Sequence, residues 1–239
     1  MENANVDARI TPALHPDNVK QIEGYDDQIA QLLGPTLTAF STAYEGIKAV
    51  WDAKKAAATN PTWNEAQQII QTSDYAEKHL SRITKGFDNV LATLTKQIEH
   101  FESELATPLE ARAGASMSVE IRKYVHDMPV EKRHQFLQRA IDEGDHITAS
   151  AVLGAPPYLS GLDANFKKTY LRMWNERATP ETARRLKAVQ AAKQMVEERA
   201  GLVFKELERA VGAPPHKVKA LREAKTAAEK AFVLKDLGQ

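Results

Sequence analysis

Residues 62–105 read TWNEAQQIIQTSDYAEKHLSRITKGFDNVLATLTKQIEHFESEL. The stretch contains no proline and a single glycine, Gly86. Its stripe positions recur at alternating steps of three and four residues, a pattern typical of a helix that packs along its length against another helix, as in a coiled coil. We therefore expect one long helix here. The stripe consists of Trp63, Ala66, Ile70, Ser73, Glu77, Leu80, Thr84, Phe87, Leu91, Leu94, Ile98, Phe101 and Leu105.

The middle of this stripe departs from a strict apolar seam. Glu77 and Thr84 occupy seam positions, where polar residues can fix the register of packing at some cost in stability. An apolar edge runs beside them, which predicts that a third element packs on a wider face. A weaker alternative is that Glu77 and the nearby His79 mark a binding site. The edge consists of Ala76, Ile83 and Val90.

A second helical period precedes the first and predicts a helix from Tyr25 to about Ala58. The pair Gly34–Pro35 lies inside it and predicts a kink, because proline removes one backbone hydrogen bond and clashes with the preceding turn. The stripe keeps its phase across this pair, so the helix should continue. It consists of Ile29, Leu33, Leu37, Phe40, Tyr44, Ile47 and Trp51.

Only a short turn separates the two predicted helices. Thr62 followed by Glu65 has the spacing of a capping box, which predicts that Thr62 is the N-cap of the second helix. Two long helices joined by so short a loop lie antiparallel. Residues 25–106 are therefore predicted to form a long antiparallel helical hairpin.

The flanking segments predict an extended arm before the hairpin and a smaller helical domain after it. Residues 1–24 contain prolines and polar residues, so this arm should have little regular structure and be held by the body of the protein or by a neighbouring chain. Pro108 and Gly114 predict a linker from Leu105 to Ser118. Residues 116–239 then form the predicted C-terminal helical domain.

Helix start and stop signals divide that domain further. Short helices are predicted over residues 119–128, 131–143 and 147–153, followed by a helix that Asp163 caps. A further long helix should run from Thr179–Pro180 to Gly212, and a last basic helix from about His216 to Leu234. No alternating strand pattern occurs, so the predicted fold class is all-α.

Composition is ordinary for a soluble globular protein, with 43% hydrophobic and 27% charged residues. The chain has no cysteine, which excludes disulfides, thiolate zinc sites, iron–sulfur clusters and cysteine nucleophiles. No apolar run reaches the length of a membrane span, and the first eleven residues lack a signal pattern. These features predict a cytoplasmic protein with no membrane partner.

The net charge is zero but unevenly distributed. Residues 1–115 carry 10 Lys and Arg against 16 Asp and Glu, whereas residues 116–239 carry 22 against 16. Two solvated surfaces of different composition explain this asymmetry most simply. The alternatives are head-to-tail self-association, or a basic half that contacts an acidic partner or nucleic acid.

No catalytic, cofactor-binding or metal-binding motif stands out. The phosphate-binding, dinucleotide-binding, zinc-protease and nucleophile-elbow patterns are absent. Glu131-x-x-His134 has the spacing of one half of a carboxylate-bridged metal site, but Glu143 and His146 straddle Gly144 and cannot supply the other half from one helical face. We predict that the protein is not an enzyme and has no cofactor. A metal-dependent helical-bundle enzyme is the weakest hypothesis.

Nucleic-acid binding is the stronger alternative. Residues 180–239 carry 13 Lys and Arg against 8 Asp and Glu. Residues 131–153 also resemble a helix-turn-helix, although the second helix lacks the basic residues that contact phosphates. Acids interleave with many of the basic residues, as in ordinary surface pairing. The candidate interaction residues are Arg184, Arg185, Lys187, Lys217, Lys219, Arg222 and Lys225.

One segment resembles a known group of proteins. Residues 119–162 include Ile121-Arg122-Lys123-Tyr124, the acid-rich turn at residues 142–145 and the run AVLGAPPYLSGL at residues 151–162. They resemble uncharacterised all-helical proteins encoded by tailed bacteriophages and prophages. The resemblance implies a virion component or assembly factor, present in the host cytoplasm during assembly and then in the virion.

These observations favour a non-enzymatic structural or assembly protein that acts through helix–helix contacts. Its expected partners are copies of itself or other virion proteins. The alternative is a DNA-associated helical protein, either a regulator or a packaging factor, that uses the basic C-terminal helices.

Overall fold

The computed structural model describes residues 7–232, and all regular structure among them is helical. The predicted all-α class is confirmed. Two short 3-10 turns, Pro12–Leu14 and Pro157–Leu159, accompany ten α-helices in this range. The helices are α1 (Asp17–Lys20), α2 (Asp27–Ala57), α3 (Glu65–Ala113), α4 (Ser116–His126), α5 (Val130–Glu143), α6 (His146–Leu153), α7 (Ala164–Ala178), α8 (Pro180–Arg199), α9 (Leu202–Val211) and α10 (Pro215–Lys230).

The chain folds as two units. Unit 1 comprises Met1–Ala92 and Ala192–Gln239, and unit 2 comprises Thr93–Ala191. This division differs from the predicted one, because the final helices belong with the hairpin and not with residues 116–191. The first six residues of the predicted arm and the predicted end of the last helix at Leu234 lie outside the described residues.

The first half of α3 packs antiparallel against α2 within unit 1. The rings of Phe40 and Phe87 meet edge to face, with centroids 5.2 Å apart. Further along α2, a Cβ atom placed on Gly46 would lie 3.0 Å from His79 Nδ1 and 3.1 Å from Ile83 Cδ1. Residue numbers rise along one helix as they fall along the other, so the two helices are antiparallel as predicted. The predicted end of the hairpin at residue 106 is not confirmed, because α3 from Thr93 onward belongs to unit 2.

Helix α2 continues through Pro35 without interruption. The Thr38 hydroxyl donates to the Gly34 carbonyl at 3.0 Å in the turn that contains the proline. At the start of the helix, the Asp26 carboxylate accepts from the backbone amides of Gln28 and Ile29. The main stabilisation is apolar burial, which contributes about 1.5–3 kcal/mol for each large side chain. The fully buried large residues of α2 are Ile29, Leu33, Phe40, Ile47 and Val50.

The predicted capping box at Thr62 is wrong. Helix α3 begins at Glu65, and the Asn64 carbonyl oxygen Oδ1 accepts from the Gln67 backbone amide at 2.9 Å. Thr62 instead donates to the side chain of Asn60, with its hydroxyl 2.8 Å from Asn60 Oδ1. An asparagine is as good an N-cap as a threonine, so the two candidates compete and the turn geometry decides between them.

The middle of α3 buries the apolar edge together with Phe87 of the seam, but not the polar seam positions. Ile83 and Val90 are buried, whereas Glu77 is exposed and Thr84 only half-buried. A straight α-helix drifts by about 20° per heptad relative to a strict seven-residue repeat. The contact face therefore widens to include the neighbouring edge. Ile83 of the edge and Phe87 of the seam both lie against α2.

The helix predicted from Thr179 to Gly212 is interrupted, which corrects that prediction. Helix α8 ends at Arg199 and α9 starts at Leu202, with Gly201 between them. Glycine in a helix interior costs about 1 kcal/mol relative to alanine, so this position is a weak point in the helix. Helix α9 packs against α2. Its buried residues are Val203, Glu206, Leu207, Ala210 and Val211.

The N-terminal arm is more ordered than predicted from residue 7 onward, because it includes a 3-10 turn and α1 and buries four apolar side chains. The backbone amide of Asp7 donates to the Tyr44 hydroxyl at 2.6 Å. Arg9 pairs with both Asp7 and Asp52, and its hydrogen bonds lower the pKa of Asp7 to about 2. The body of the protein itself therefore holds the arm. The buried side chains are Ile10, Leu14, Val19 and Ile22.

The predicted linker from Leu105 to Ser118 is wrong, because α3 runs through Pro108 as far as Ala113. A proline inside a helix costs about 3 kcal/mol. Leu105, Leu109 and Ala113 are nevertheless all buried at successive four-residue steps. Their burial on one face offsets the missing hydrogen bond. The predicted linker was based on the proline alone and did not take this burial into account.

The core of unit 2 is built around α6. Every residue from Thr148 to Leu153 is buried, and α6 contacts α4, α5 and α7. Trp174 and Tyr170 of α7 close the core. The predicted end of the helix over residues 131–143 is confirmed, because Gly144 follows it with a left-handed backbone, φ 71°. Asp163 caps α7 as predicted.

Arg133 fixes the corner between α4 and α5. Its Nε donates to the Val125 carbonyl at 3.0 Å, and its Nη2 donates to His126 at 2.8 Å and to Met128 at 3.0 Å. Its Nη1 donates to the Gly161 carbonyl. One guanidinium thus satisfies carbonyls at the end of α4 that have no partner within the helix.

Gly154 provides a test of how closely α6 and α3 pack in unit 2. A Cβ atom there would overlap the Leu109 carbonyl, which belongs to backbone and cannot move aside cheaply. We expect Gly154→Ala to lower the free energy of unfolding by about 2 kcal/mol in urea titrations followed by circular dichroism.

Gly86→Ala is the matched control. It lies in α3 with no atom near its would-be Cβ, so it should be neutral or stabilise by up to about 1 kcal/mol. Equal unfolding of Gly154→Ala and the wild-type protein would contradict the packing described.

Candidate interaction surfaces

The seven predicted interaction residues fall into two groups in different units. Arg184, Arg185 and Lys187 lie on the part of α8 that belongs to unit 2. The other group lies on α10, in unit 1. The basic residues therefore do not belong to one folded body. The α10 group consists of Lys217, Lys219, Arg222 and Lys225.

Arg222 connects α10 to α3. Its Nη2 lies 2.6 Å from Asp74 Oδ1 and 2.7 Å from Glu77 Oε1, and 3.4 Å from the Ser73 hydroxyl. These carboxylates, with Glu77 contributing most, raise the pKa of Arg222. Glu77, which interrupts the seam in the sequence, thus serves as an anchor for the last described helix.

Other basic residues of the predicted patch are also close to carboxylates. Lys217 lies 3.9 Å from Glu65, and Arg184 lies 2.9 Å from Glu181. Nucleic-acid binding requires cations that can neutralise phosphates, and pairing with carboxylates reduces their field. The remaining pairs on α10 join Lys219 to Glu223 and Lys225 to Glu229.

The helix-turn-helix interpretation is wrong for residues 131–153. A recognition helix has to present its side chains to the major groove. Helix α6 would be that helix, but its residues from Thr148 to Leu153 are buried in unit 2. Only its first turn, with Ile147, is exposed.

Glu77 and His79 do not form the site that their proximity in sequence suggested. Glu77 pairs with Arg222, whereas the His79 ring lies against Gly46 and meets the Tyr75 ring edge to face at 4.6 Å. Burial, with a smaller contribution from Arg82, lowers the pKa of His79. The neutral imidazole is therefore favoured as a packing group between α2 and α3.

His134, the histidine of the metal-like Glu131-x-x-His134 spacing, is held in an aromatic setting. Its Nδ1 lies 2.8 Å from the Tyr170 hydroxyl, and its ring centroid lies 4.2 Å from that of Phe166. Burial raises the pKa of Tyr170, which keeps the hydroxyl protonated. Among residues 7–232, no group of three His, Asp or Glu side chains is arranged to hold a metal ion.

Exposed apolar side chains are concentrated in unit 2. Helix α4 carries Met117, Ile121 and Tyr124 at steps of four and three, so they share one face, which we call the α4 face. Met117 and Tyr124 are 59% and 62% exposed, while Ile121 is half-buried against the core. Other exposed large apolar residues between positions 117 and 166 are Val119, Val130, Ile147, Tyr158, Leu159 and Phe166.

The loop after α6 adds exposed apolar side chains to the surface of unit 2 instead of filling its core. The loop contains three large apolar residues, Tyr158, Leu159 and Leu162. Only Leu162 is buried, whereas Tyr158 is 72% exposed. The turn Pro157–Leu159 contacts α4 and α6.

An open groove of about 840 Å³ lies elsewhere on unit 2, where the end of α3 meets α7 and the start of α8. Hydrogen bonds from Thr182 to Glu104 and from Gln190 to Glu102 connect α8 to α3 beside it. Its apolar lining is Leu105, Ala106, Leu171, Ala183 and Leu186. Its charged lining is Glu102, Lys168, Arg172, Glu176 and Lys187.

None of the helices within residues 7–232 combines the length and the apolar character needed to cross a membrane. Comparisons with protein-family models, with curated proteins and with solved structures gave no match to this chain.

Arg222 provides a test of the contact between α10 and α3. We expect Arg222→Gln to lower the free energy of unfolding by about 1 kcal/mol at low salt, since partly exposed ion pairs contribute little more than this. The loss should shrink in 1 M sodium chloride because salt screens the pairs.

Lys225→Gln is the control, since it removes only a solvent-exposed pair within α10. It should change the free energy of unfolding by less than about 0.5 kcal/mol. A loss for Arg222→Gln no larger than that of Lys225→Gln would contradict the anchoring role.

Proposed function

We propose that this chain is a non-enzymatic structural or assembly protein that acts through helix–helix contacts with copies of itself. The observation that carries this proposal is the pairing of two features on unit 2. One is the exposed apolar α4 face, and the other is the open groove, whose lining includes apolar side chains. A helix with an exposed apolar stripe and a groove of this kind are the two halves of a helix-in-groove contact.

The charges beside the two surfaces fit such a contact. Helix α4 carries Glu120 and Lys123 near its apolar face, and the groove lining contains both acids and bases. Charges of both signs at the rim can fix orientation and exclude other partners more than they add affinity. Apolar burial supplies most of the free energy of association.

A contact between two different surfaces of the same unit is heterologous. Each copy then retains one unused surface, so association continues until a ring closes or a filament grows. This property suits a protein that builds an assembly.

The proposed setting is a bacteriophage, with the protein in the host cytoplasm during assembly and then in the virion. The support is the resemblance of residues 119–162 to proteins of tailed bacteriophages and prophages. That segment contains most of α4 and the exposed turn at Tyr158. Neighbouring genes that encode capsid, portal or tail proteins would support this setting, and neighbours that encode only metabolic enzymes would contradict it.

A DNA-associated role is the second candidate, and the positive balance of residues 180–239 supports it. It is less favoured because basic residues of α10 pair with carboxylates and because α6 is buried. The apolar surfaces of unit 2 have no place in a contact that phosphates dominate.

Light scattering coupled to size-exclusion chromatography tests the assembly proposal. The wild-type chain should show masses that are multiples of 26.5 kDa and that rise with concentration. The variant Met117→Asp/Tyr124→Asp should remain a monomer, because charges on the α4 face would be buried without partners. Ala183→Trp, which fills the groove, should also remain a monomer.

Mixing the two variants distinguishes a heterologous contact from a symmetric one. Each retains the surface that the other lacks, so an equimolar mixture should form a dimer and nothing larger. Phe204→Asp, at an exposed apolar site of unit 1, is the control and should assemble as the wild type does. A wild-type monomer at every concentration, or unchanged assembly of the α4 variant, would contradict the proposal.

A further inference from the structure

The turn Pro157–Leu159 exposes two large apolar side chains between buried neighbours. Tyr158 is 72% exposed and is the most exposed large apolar residue of unit 2, and Leu159 is 42% exposed. Ala155 before the turn and Ser160 after it are both buried. The chain on both sides of the turn is therefore packed into unit 2, while the Tyr158 ring stands out from it.

The backbone of this turn is restrained. Pro156 and Pro157 have fixed φ angles, since the proline ring locks that torsion. The backbone amides of Ser160 and Leu162 both donate to the Pro157 carbonyl, at 3.2 and 3.0 Å. A segment that is already ordered loses little conformational entropy when a partner binds it.

Two cations hold the ends of the loop that contains the turn. Lys167 Nζ donates to the Ala155 carbonyl at 2.7 Å, and Arg133 Nη1 donates to the Gly161 carbonyl. The other donors of Arg133 reach carbonyls at the end of α4, and the turn itself contacts α4. Tyr158 is thus presented at a fixed position relative to the helix that carries the α4 face.

The α4 face alone is too small for a stable contact. Stable interfaces bury about 800 Å² on each partner. A whole aromatic side chain buries roughly 150–250 Å², and each residue of the α4 face is already partly covered within the chain, so the three supply less than about half of the area needed. The contact proposed above therefore has to include further exposed side chains. The turn, which contacts α4, supplies the most exposed one.

The groove on unit 2 has the chemistry that receives a tyrosine ring. Its lining includes Leu171 and Leu186, and its three cations outnumber its two acids. Lysine and arginine are attracted to the face of an aromatic ring, and apolar side chains pack against the rest of it. The three cations are Lys168, Arg172 and Lys187.

We propose that the turn Pro157–Leu159 anchors the assembly contact and that Tyr158 of one copy inserts its ring into the groove of a second copy. The inference rests on the proposed assembly and deepens it, because it names the side chain that contributes most to the affinity. Residues that dominate binding energy are enriched in tyrosine and lie in well-packed pockets. Because the turn contacts α4, the same groove can receive the ring together with the α4 face.

Sedimentation velocity over a concentration series measures the strength of association in each variant. Tyr158→Ala should weaken self-association at least about tenfold, since truncation of a central tyrosine removes much of the binding energy. Tyr158→Phe retains the ring and should stay within about threefold of the wild type. Phe204→Ala, which removes an exposed ring of unit 1, is the matched control and should associate as the wild type does. Circular dichroism establishes that each variant is folded.

Photo-crosslinking identifies the surface that residue 158 meets. A chain with p-benzoylphenylalanine in place of Tyr158 is mixed with isotope-labelled wild-type chain and irradiated. Mass spectrometry then separates links between copies from links within one copy, because only the former contain a labelled peptide. We expect links from residue 158 to labelled residues 102–106 or 168–190, which line the groove.

Failure of this inference differs from failure of the assembly proposal. If the wild type assembles and Met117→Asp/Tyr124→Asp does not, unchanged association of Tyr158→Ala overturns the anchor alone. An equal loss in Tyr158→Phe and Tyr158→Ala overturns insertion of the ring. Links between copies that lie only outside the groove overturn the assigned site. A wild-type chain that stays monomeric overturns both proposals.

Discussion

The contact between α2 and the first half of α3 is the constraint on which unit 1 depends. Helix α2 is buried along much of its length, since it meets α3 through Phe40 and Gly46 and also packs against α9. Gly46 has no side chain, so His79 and Ile83 can approach its backbone. Once this contact forms, Tyr44 and Asp52 are positioned to hold the arm, and Asp74 and Glu77 are positioned to hold α10 through Arg222.

The two units use their polar residues in different ways. In unit 1, ion pairs of Arg9 and Arg222 fasten peripheral segments to the hairpin. In unit 2, Arg133 satisfies backbone carbonyls, so its charge organises a corner and is not presented to a partner. Unit 2 presents apolar side chains on the α4 face and, together with charged ones, in the groove. Exposed apolar side chains favour protein partners over nucleic acid.

Features that depend on neighbouring residues were predictable from the sequence. The hairpin, the helix stop at Gly144 and the cap at Asp163 all follow from periodicity or from local hydrogen bonding. Pro108 was misread because burial of Leu109 in the core of unit 2 overrides a local stop signal. The partners of Arg222 lie about 145 positions away in sequence, so no local pattern reveals them.

A double-mutant cycle on Phe40 and Phe87 tests the hairpin contact most directly. Phe40→Leu, Phe87→Leu and the double variant should give a coupling free energy of about 0.5–1.5 kcal/mol, the range for aromatic pairs in contact. The control cycle pairs Phe87→Leu with Ile29→Val, which lies three turns away along α2, and should be additive. A coupling free energy near zero between Phe40 and Phe87, as expected for the control cycle, would contradict the antiparallel register of α2 and α3.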